Sequence, residues 1–207
     1  MTGHQKVDRV VDVASVALIS VAAVLSALCG YQSGRWSGQQ ARLYNAADAG
    51  RIQSSEAAAR ANTLTLIDVG LFLSYISAAD AHDTRKERFI YARLRPEMRP
   101  AMAAWLASKP LTNSKAPSSP FVMPQYTLKT RIDAGRLDAA AAASFAEAQK
   151  ANQHADDYLL LTVIFAGVSF LGGMSTKMVY PSHLILICIG IVGLTYGGIR
   201  LAELPFL

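Results

Sequence analysis

Three stretches of this chain, residues 13–34, 158–176 and 178–199, contain no Asp, Glu, Lys or Arg. A helix needs about 20 residues to cross a hydrocarbon core about 30 Å thick, and each stretch is close to that length. Inside such a core every backbone N–H and C=O must be bonded within the protein, which restricts single segments to helices. The charge that is missing from these stretches is concentrated elsewhere. Residues 32–157 hold sixteen of the twenty Lys and Arg and twelve of the fifteen acids. That region reads as a water-facing segment of mixed charge with a modest basic excess.

The expected fold is therefore all-α: three transmembrane helices with an extramembrane helical domain inserted between the first and second spans. The boundaries read as a tail at 1–9, a first span at 10–31, the helical domain at 32–157, spans at 158–176 and 182–200, and a tail at 201–207. Overall, 52% of residues are hydrophobic and the mean hydropathy is +0.24. Charged residues make up 17%, against about 25% in ordinary soluble domains. No segment alternates with the period of a strand, and no repeat is visible.

Proline divides the chain. None occurs from Met1 to Arg95, six of the eight fall between Pro96 and Pro124, and none lies between Gln125 and Tyr180. Proline lacks the N–H and clashes with the preceding turn, so helix interiors exclude it. Two long helical arms joined by a proline-rich elbow at 96–124 are expected. Residues 39–61, rich in Ala, Gln, Arg and Glu, continue the first span into water, with Gly50 as a weak point. Residues 64–79 are apolar around Asp68. They read as the buried core helix of the outer domain, with a re-entrant membrane segment as the alternative. Asp68 is expected to pair with an arginine. In the elbow, Phe121, Val122 and Met123 are expected to pin the loop by apolar contacts. Tyr180 and Pro181 predict a tight turn, with Ser182 capping the third span.

Cys29 and Cys188 sit inside hydrophobic stretches and are expected to be free and buried. Leu28 before Cys29 argues against a lipoprotein cysteine. Lys6 and Arg9 open the first span as an uncleaved signal anchor. Tyr31 and Trp36 sit where an interfacial aromatic belt belongs. Counting Lys and Arg near the span ends separates the two orientations poorly. The basic start favours a cytoplasmic N-terminus with the large domain outside.

Four patterns are candidates for function. Ala22, Ser26, Gly30, Gly34 and Gly38 recur every fourth residue. Ser169 with Gly173, and Gly193 with Gly197, repeat that spacing in the other spans. Small residues let helix backbones approach where lipid offers no hydrophobic drive, so these faces pack the three spans together, form a homo-oligomer or dock a partner. Arg85, Lys86, Arg88, Arg93, Arg95 and Arg99 alternate with Phe89, Tyr91 and Leu94. This is either a solvated helix face or a surface for anionic lipid or an acidic partner protein. Nucleic acid is not expected. His82 with Asp80 and Asp83, and His154 with Asp156 and Asp157, lack zinc-site spacing. Asp12 lies close enough to the first span's boundary to reach the interface.

No Walker A loop, dinucleotide-binding fingerprint, GxSxG or metalloprotease motif is present, so no cofactor, metal or catalytic residue is assigned. The lack of a deep acid, Lys or Arg in the second and third spans argues against a coupled transporter.

The stretch YQSGRWSGQQARLYNAADAGR at 31–51, with LTLIDVGLF and SPFVMPQY, resembles a family of uncharacterised bacterial membrane proteins. These have one N-terminal span, a helical loop domain and a C-terminal pair of spans. The resemblance implies the same topology in a bacterial inner membrane and brings no activity. The expectation is a non-enzymatic membrane scaffold or accessory subunit in contact with the lipid bilayer, forming a homo-oligomer or part of a membrane complex. A small oligomeric channel is the alternative, and an anionic-lipid-binding module the second. Ser15, Ser20 and Ser26 do not fall on one stripe, which disfavours the channel.

Overall fold

The computed structural model describes residues 3–110, 112–178 and 182–207, with side chains from Asp12 onward. The turn expected at Tyr180 and Pro181 lies outside the described residues. So do the side chains of Lys6 and Arg9. The described residues are helical without strands: α1 (Gly3–Asp80), α2 (Thr84–Tyr91), α3 (Met98–Ala107), a 3-10 turn (Pro120–Val122), α4 (Lys129–Ser175) and α5 (Ser182–Glu203). Three of these helices, α1, α4 and α5, are long and apolar enough to cross a membrane.

Helix α1 runs for 78 residues because nothing in it stops a helix. It contains no proline, and its polar part is built from strong helix formers. It ends at Asp80, and two residues on, the backbone of His82 is left-handed at φ 54°. The Asp83 side chain then accepts a hydrogen bond from the Lys86 N–H at 2.9 Å and opens α2.

The chain divides into two compact units, Met1–Ala46 with Ser144–Leu207, and Ala47–Ala143. In the first unit, buried positions of α1 fall at 15, 18, 22, 29 and 32, with half-buried 25 and 36 in the same row. Those of α4 fall at 151, 155, 158, 161, 165, 168, 172 and 175. Steps of three and four mark a helix seam of the coiled-coil kind. Hydrogen bonds set the register: Ser33 Oγ donates to the Ala155 carbonyl (2.9 Å) and Ser26 Oγ to the Thr162 carbonyl (3.1 Å), while Ser15 and Ser175 bond through their hydroxyls (2.8 Å). Residue numbers rise along α1 as they fall along α4, so the two are antiparallel here. Leu18, Ala22, Cys29, Tyr158, Leu161, Phe165, Val168 and Leu201 form the core.

Helix α5 joins this core through its glycines. A Cβ on Gly190 would meet Leu18 at 2.6 Å, and one on Gly197 would meet the Phe165 ring at 2.7 Å. The segment after α5 is also tied down. The Gln32 amide accepts from the Leu207 N–H (3.1 Å) and donates to the Leu207 carbonyl (3.3 Å). Trp36 Nε1 and Tyr158 OH both donate to the Pro205 carbonyl. Trp36, expected only as a belt residue, also packs its ring 4.6 Å from His154. Cys29 is buried and free, but Cys188 is exposed on α5 rather than buried as expected. An apolar stretch facing outward on one side leaves its cysteine there too.

In the second unit α1 and α4 are again antiparallel. Ser54 Oγ donates to the Ala134 carbonyl, and Arg131 donates to Asn62. Gly50 is not a weak point but a close approach. A Cβ there would lie 3.0 Å from that of Ala141. The core of this unit joins Tyr75 and Ala78 of α1 to Ile90, Leu94, Met98, Met102 and Trp105. Phe121 locks the elbow, with its ring 5.6 Å from Phe72 and 5.2 Å from Tyr126. Met123 packs beside it, while Val122 faces out. Apolar pinning of the elbow is therefore the work of two of the three expected residues.

The glycine contacts of α5 predict a split result. Gly197→Ala should destabilise the detergent-solubilised protein by about 1–3 kcal/mol through overpacking on Phe165, despite alanine's better helix propensity. Gly198→Ala, with open space around it, should be neutral or stabilising. Equal melting temperatures for the two variants would refute the assigned packing.

Candidate functional site

The row of small residues on α1 does not stay on one face. Four residues advance a helix by about 40° more than a full turn. From Ala22 to Gly38 the drift sums to about 160°. Ala22 is fully buried, and Ser26 bonds to the Thr162 carbonyl. A Cβ on Gly30 would come within 3.9 Å of Thr162 Oγ1. At Gly34 and Gly38 an added Cβ meets nothing within 4 Å. The row begins inside the first unit and ends on its surface.

The other small-residue pairs separate in the same way. A Cβ on Gly193 would meet Val168 at 2.9 Å, so Gly193 and Gly197 are both spent on packing within the unit. Ser169 Oγ donates to the Phe165 carbonyl of its own helix, and Gly173 has open space. The structure brings together Ala22, Ser26, Gly193 and Gly197 around the α4 core. It leaves Gly34, Gly38 and Gly173 outward. The serines considered as pore-lining go two ways: Ser15 and Ser26 bond across to α4, while Ser20 bonds the Val16 carbonyl one turn back.

The basic residues of the second unit also divide. Arg95 lies 3.3 Å from Asp68 and 2.9 Å from Glu97. Arg99 stays at the surface but donates to the Leu94 and Ala92 carbonyls, both at 2.9 Å, and so closes the end of α2. Neither joins an outward basic face. Arg85, Lys86, Arg88 and Arg93 remain exposed around Phe89, with the Arg93 guanidinium 3.3 Å from that ring's centre. Among the described residues no group of His, Cys, Asp and Glu is placed to hold a metal ion.

Asp68 does find the arginine expected for it, and a second partner besides. It is fully buried, and Tyr126 OH donates to the same Oδ2 at 3.0 Å that Arg95 reaches. Its Oδ1 has no hydrogen-bond partner among the described residues. Burial pushes the carboxyl above its ordinary range, against the opposing pull of Tyr126 and Arg95. Burial raises Tyr126 as well, and the neighbouring Asp68 adds to this. Glu97, nearer water, is held below the usual range by a backbone hydrogen bond and then by Arg95. The importance of Tyr126 was not apparent in sequence, where only the apolar residues of SPFVMPQY stood out.

No protein-family profile, curated protein or solved structure matches the chain. The resemblance carried by residues 31–51 therefore gains no support from them, and function rests on these surfaces alone.

The raised Asp68 fixes a sign. Its neutral form is favoured by folding, so its contribution is complete below the ordinary carboxylate range and is lost as pH rises through the raised value. Thermal unfolding of wild type and Asp68→Asn across pH should show the acid-side gain in wild type only. Parallel curves for the two proteins would contradict the assignment.

Proposed function

We propose that the protein is a non-enzymatic membrane scaffold or accessory subunit. It would sit in a bacterial inner membrane through spans at 10–31, 158–176 and 182–200. The helical region 32–157 would lie outside the bilayer between the first two spans, on the extracytoplasmic side, with the N-terminus cytoplasmic. The protein would self-associate, or join a larger membrane complex, through the outward end of the α1 small-residue row. Membrane placement draws support from the apolar side chains that the first unit leaves exposed, such as Val13, Val24, Val163, Phe170 and Val192. Water would penalise such a surface, whereas hydrocarbon does not.

One observation carries the association. Among the described residues a Cβ at Gly34 or Gly38 would meet nothing within 4 Å, where glycines of the same spacing in α5 face Phe165 and Val168. Glycine inside a helix costs up to about 1 kcal/mol against alanine. Paired glycines on an open face allow a second helix backbone to approach closely.

The open space also offers a test, because an added Cβ at either position meets nothing within 4 Å among the described residues. The native mass of the purified, detergent-solubilised protein should correspond to a discrete oligomer. Gly34→Leu and Gly38→Leu should weaken that association by about tenfold or more, with an unchanged melting temperature. A wild-type monomer would exclude self-association. An oligomer indifferent to both variants would move the interface elsewhere.

A further inference from the structure

A cavity of about 350 Å³ lies in the second unit, and Asp68 is not part of its lining. That volume is at the lower end of the range for small-molecule sites. Tyr75 of α1, Glu87 of α2 and Trp105 and Leu106 of α3 contribute to its wall, together with His82 and Lys109 from the turns that end α1 and α3.

Two independent features set it apart. The first is backbone conformation. His82 (φ 54°) and Lys109 (φ 53°) are the two non-glycine residues with positive φ among those described, and both line this cavity. Each stands just past a helix end. There the left-handed conformation is usual and glycine is the residue that adopts it without a Cβ penalty. His82 and Lys109 stand where glycine would be the unstrained choice.

The second feature is a set of polar side chains without ion-pair partners. Among the described residues neither His82 nor Lys109 uses its side chain in a hydrogen bond or ion pair, and Glu87 has no ion-pair partner. Glu87 only accepts a long hydrogen bond from Tyr75 OH, at 3.4 Å. Trp105 has committed its indole N–H to the Pro117 carbonyl at 2.8 Å, so it offers the cavity its ring alone.

We infer that this cavity binds a small zwitterion, a free α-amino acid in chemical class. Its carboxylate is received by Lys109 and His82, its ammonium by Glu87, and its side chain by Leu106 and the rings of Trp105 and Tyr75. A simple anion would face Glu87, and a simple cation would face Lys109. A molecule carrying both charges satisfies each, and the aromatic walls favour an ammonium nearby.

The test uses the full-length, detergent-solubilised protein. Thermal shift against the full set of protein amino acids identifies the best ligand, and calorimetry compares it with its decarboxylated amine and its deaminated acid. At least one amino acid should raise the melting temperature, and both one-charge analogues should bind about tenfold or more weakly. Lys109→Gly and His82→Gly should lose the shift without lowering the melting temperature of the free protein, since glycine relieves the turn. That combination separates lost binding from lost folding. Glu87→Gln should weaken the amino acid and leave the deaminated acid unaffected. The inference is overturned if no amino acid shifts the protein, if the amine or the acid binds as tightly as the amino acid, or if the glycine variants retain binding.

Discussion

The close approach of α1 and α4 is the constraint on which each unit depends, and small side chains at the seam permit it. In the second unit Ala47, Ala61, Ala134 and Ala141 are buried, and Gly50 meets Ala141 with almost no space to spare. In the first unit Ala148, Ala151 and Ala155 are buried on α4, and Ala22 and Cys29 on α1. A seam of alanines buries little area per residue, so it draws its strength from length and close contact rather than from large side chains. Long uninterrupted helices are then a requirement. A single proline in either arm would break the seam where it lay.

An alanine seam has a weakness in register, because one alanine is much like the next. Hydroxyls supply what the alanines lack. Ser26 and Ser33 each donate to a carbonyl of α4, Ser15 and Ser175 bond to one another, and in the second unit Ser54 bonds to Ala134. Each such bond is worth only about 1 kcal/mol, in water or in a membrane. Their value is positional, since sliding the helices by one turn would strand several hydroxyls and carbonyls together. The same logic applies at the elbow, where Asp68 takes bonds from both Arg95 and Tyr126. One buried carboxylate thereby holds the two least regular segments of the unit against α1.

Much of the architecture was legible because it depends on composition and on exclusion. Missing charges marked the apolar helices, and missing prolines marked the arms. What was not legible depends on helix phase. Gly50 looked like a flaw because its use appears only when Ala141 is brought opposite it. Arg95 and Arg99 looked like members of a basic face because spacing along the chain says nothing of the fold that turns Arg95 onto Asp68 and ties Arg99, at the surface, to the Leu94 and Ala92 carbonyls. The clasp of Gln32, Trp36 and Tyr158 on residues 205–207 joins positions 175, 169 and 47 residues apart, and no local pattern announces it.

The glycine pairs show why function was harder to read than fold. Gly193 with Gly197 and Gly34 with Gly38 have the same spacing and, as patterns, the same meaning. In α5 the pair turns towards Phe165 and Val168, whose side chains fill the space that the missing Cβ atoms leave. In α1 the four-residue row outruns a seam that advances by three and four, so its last members leave the interface that its first members build. A motif for close approach therefore states only that a helix can be approached. The phase of the helix decides whether side chains of the same chain fill that space, as at Gly193 and Gly197, or leave it open among the described residues, as at Gly34 and Gly38.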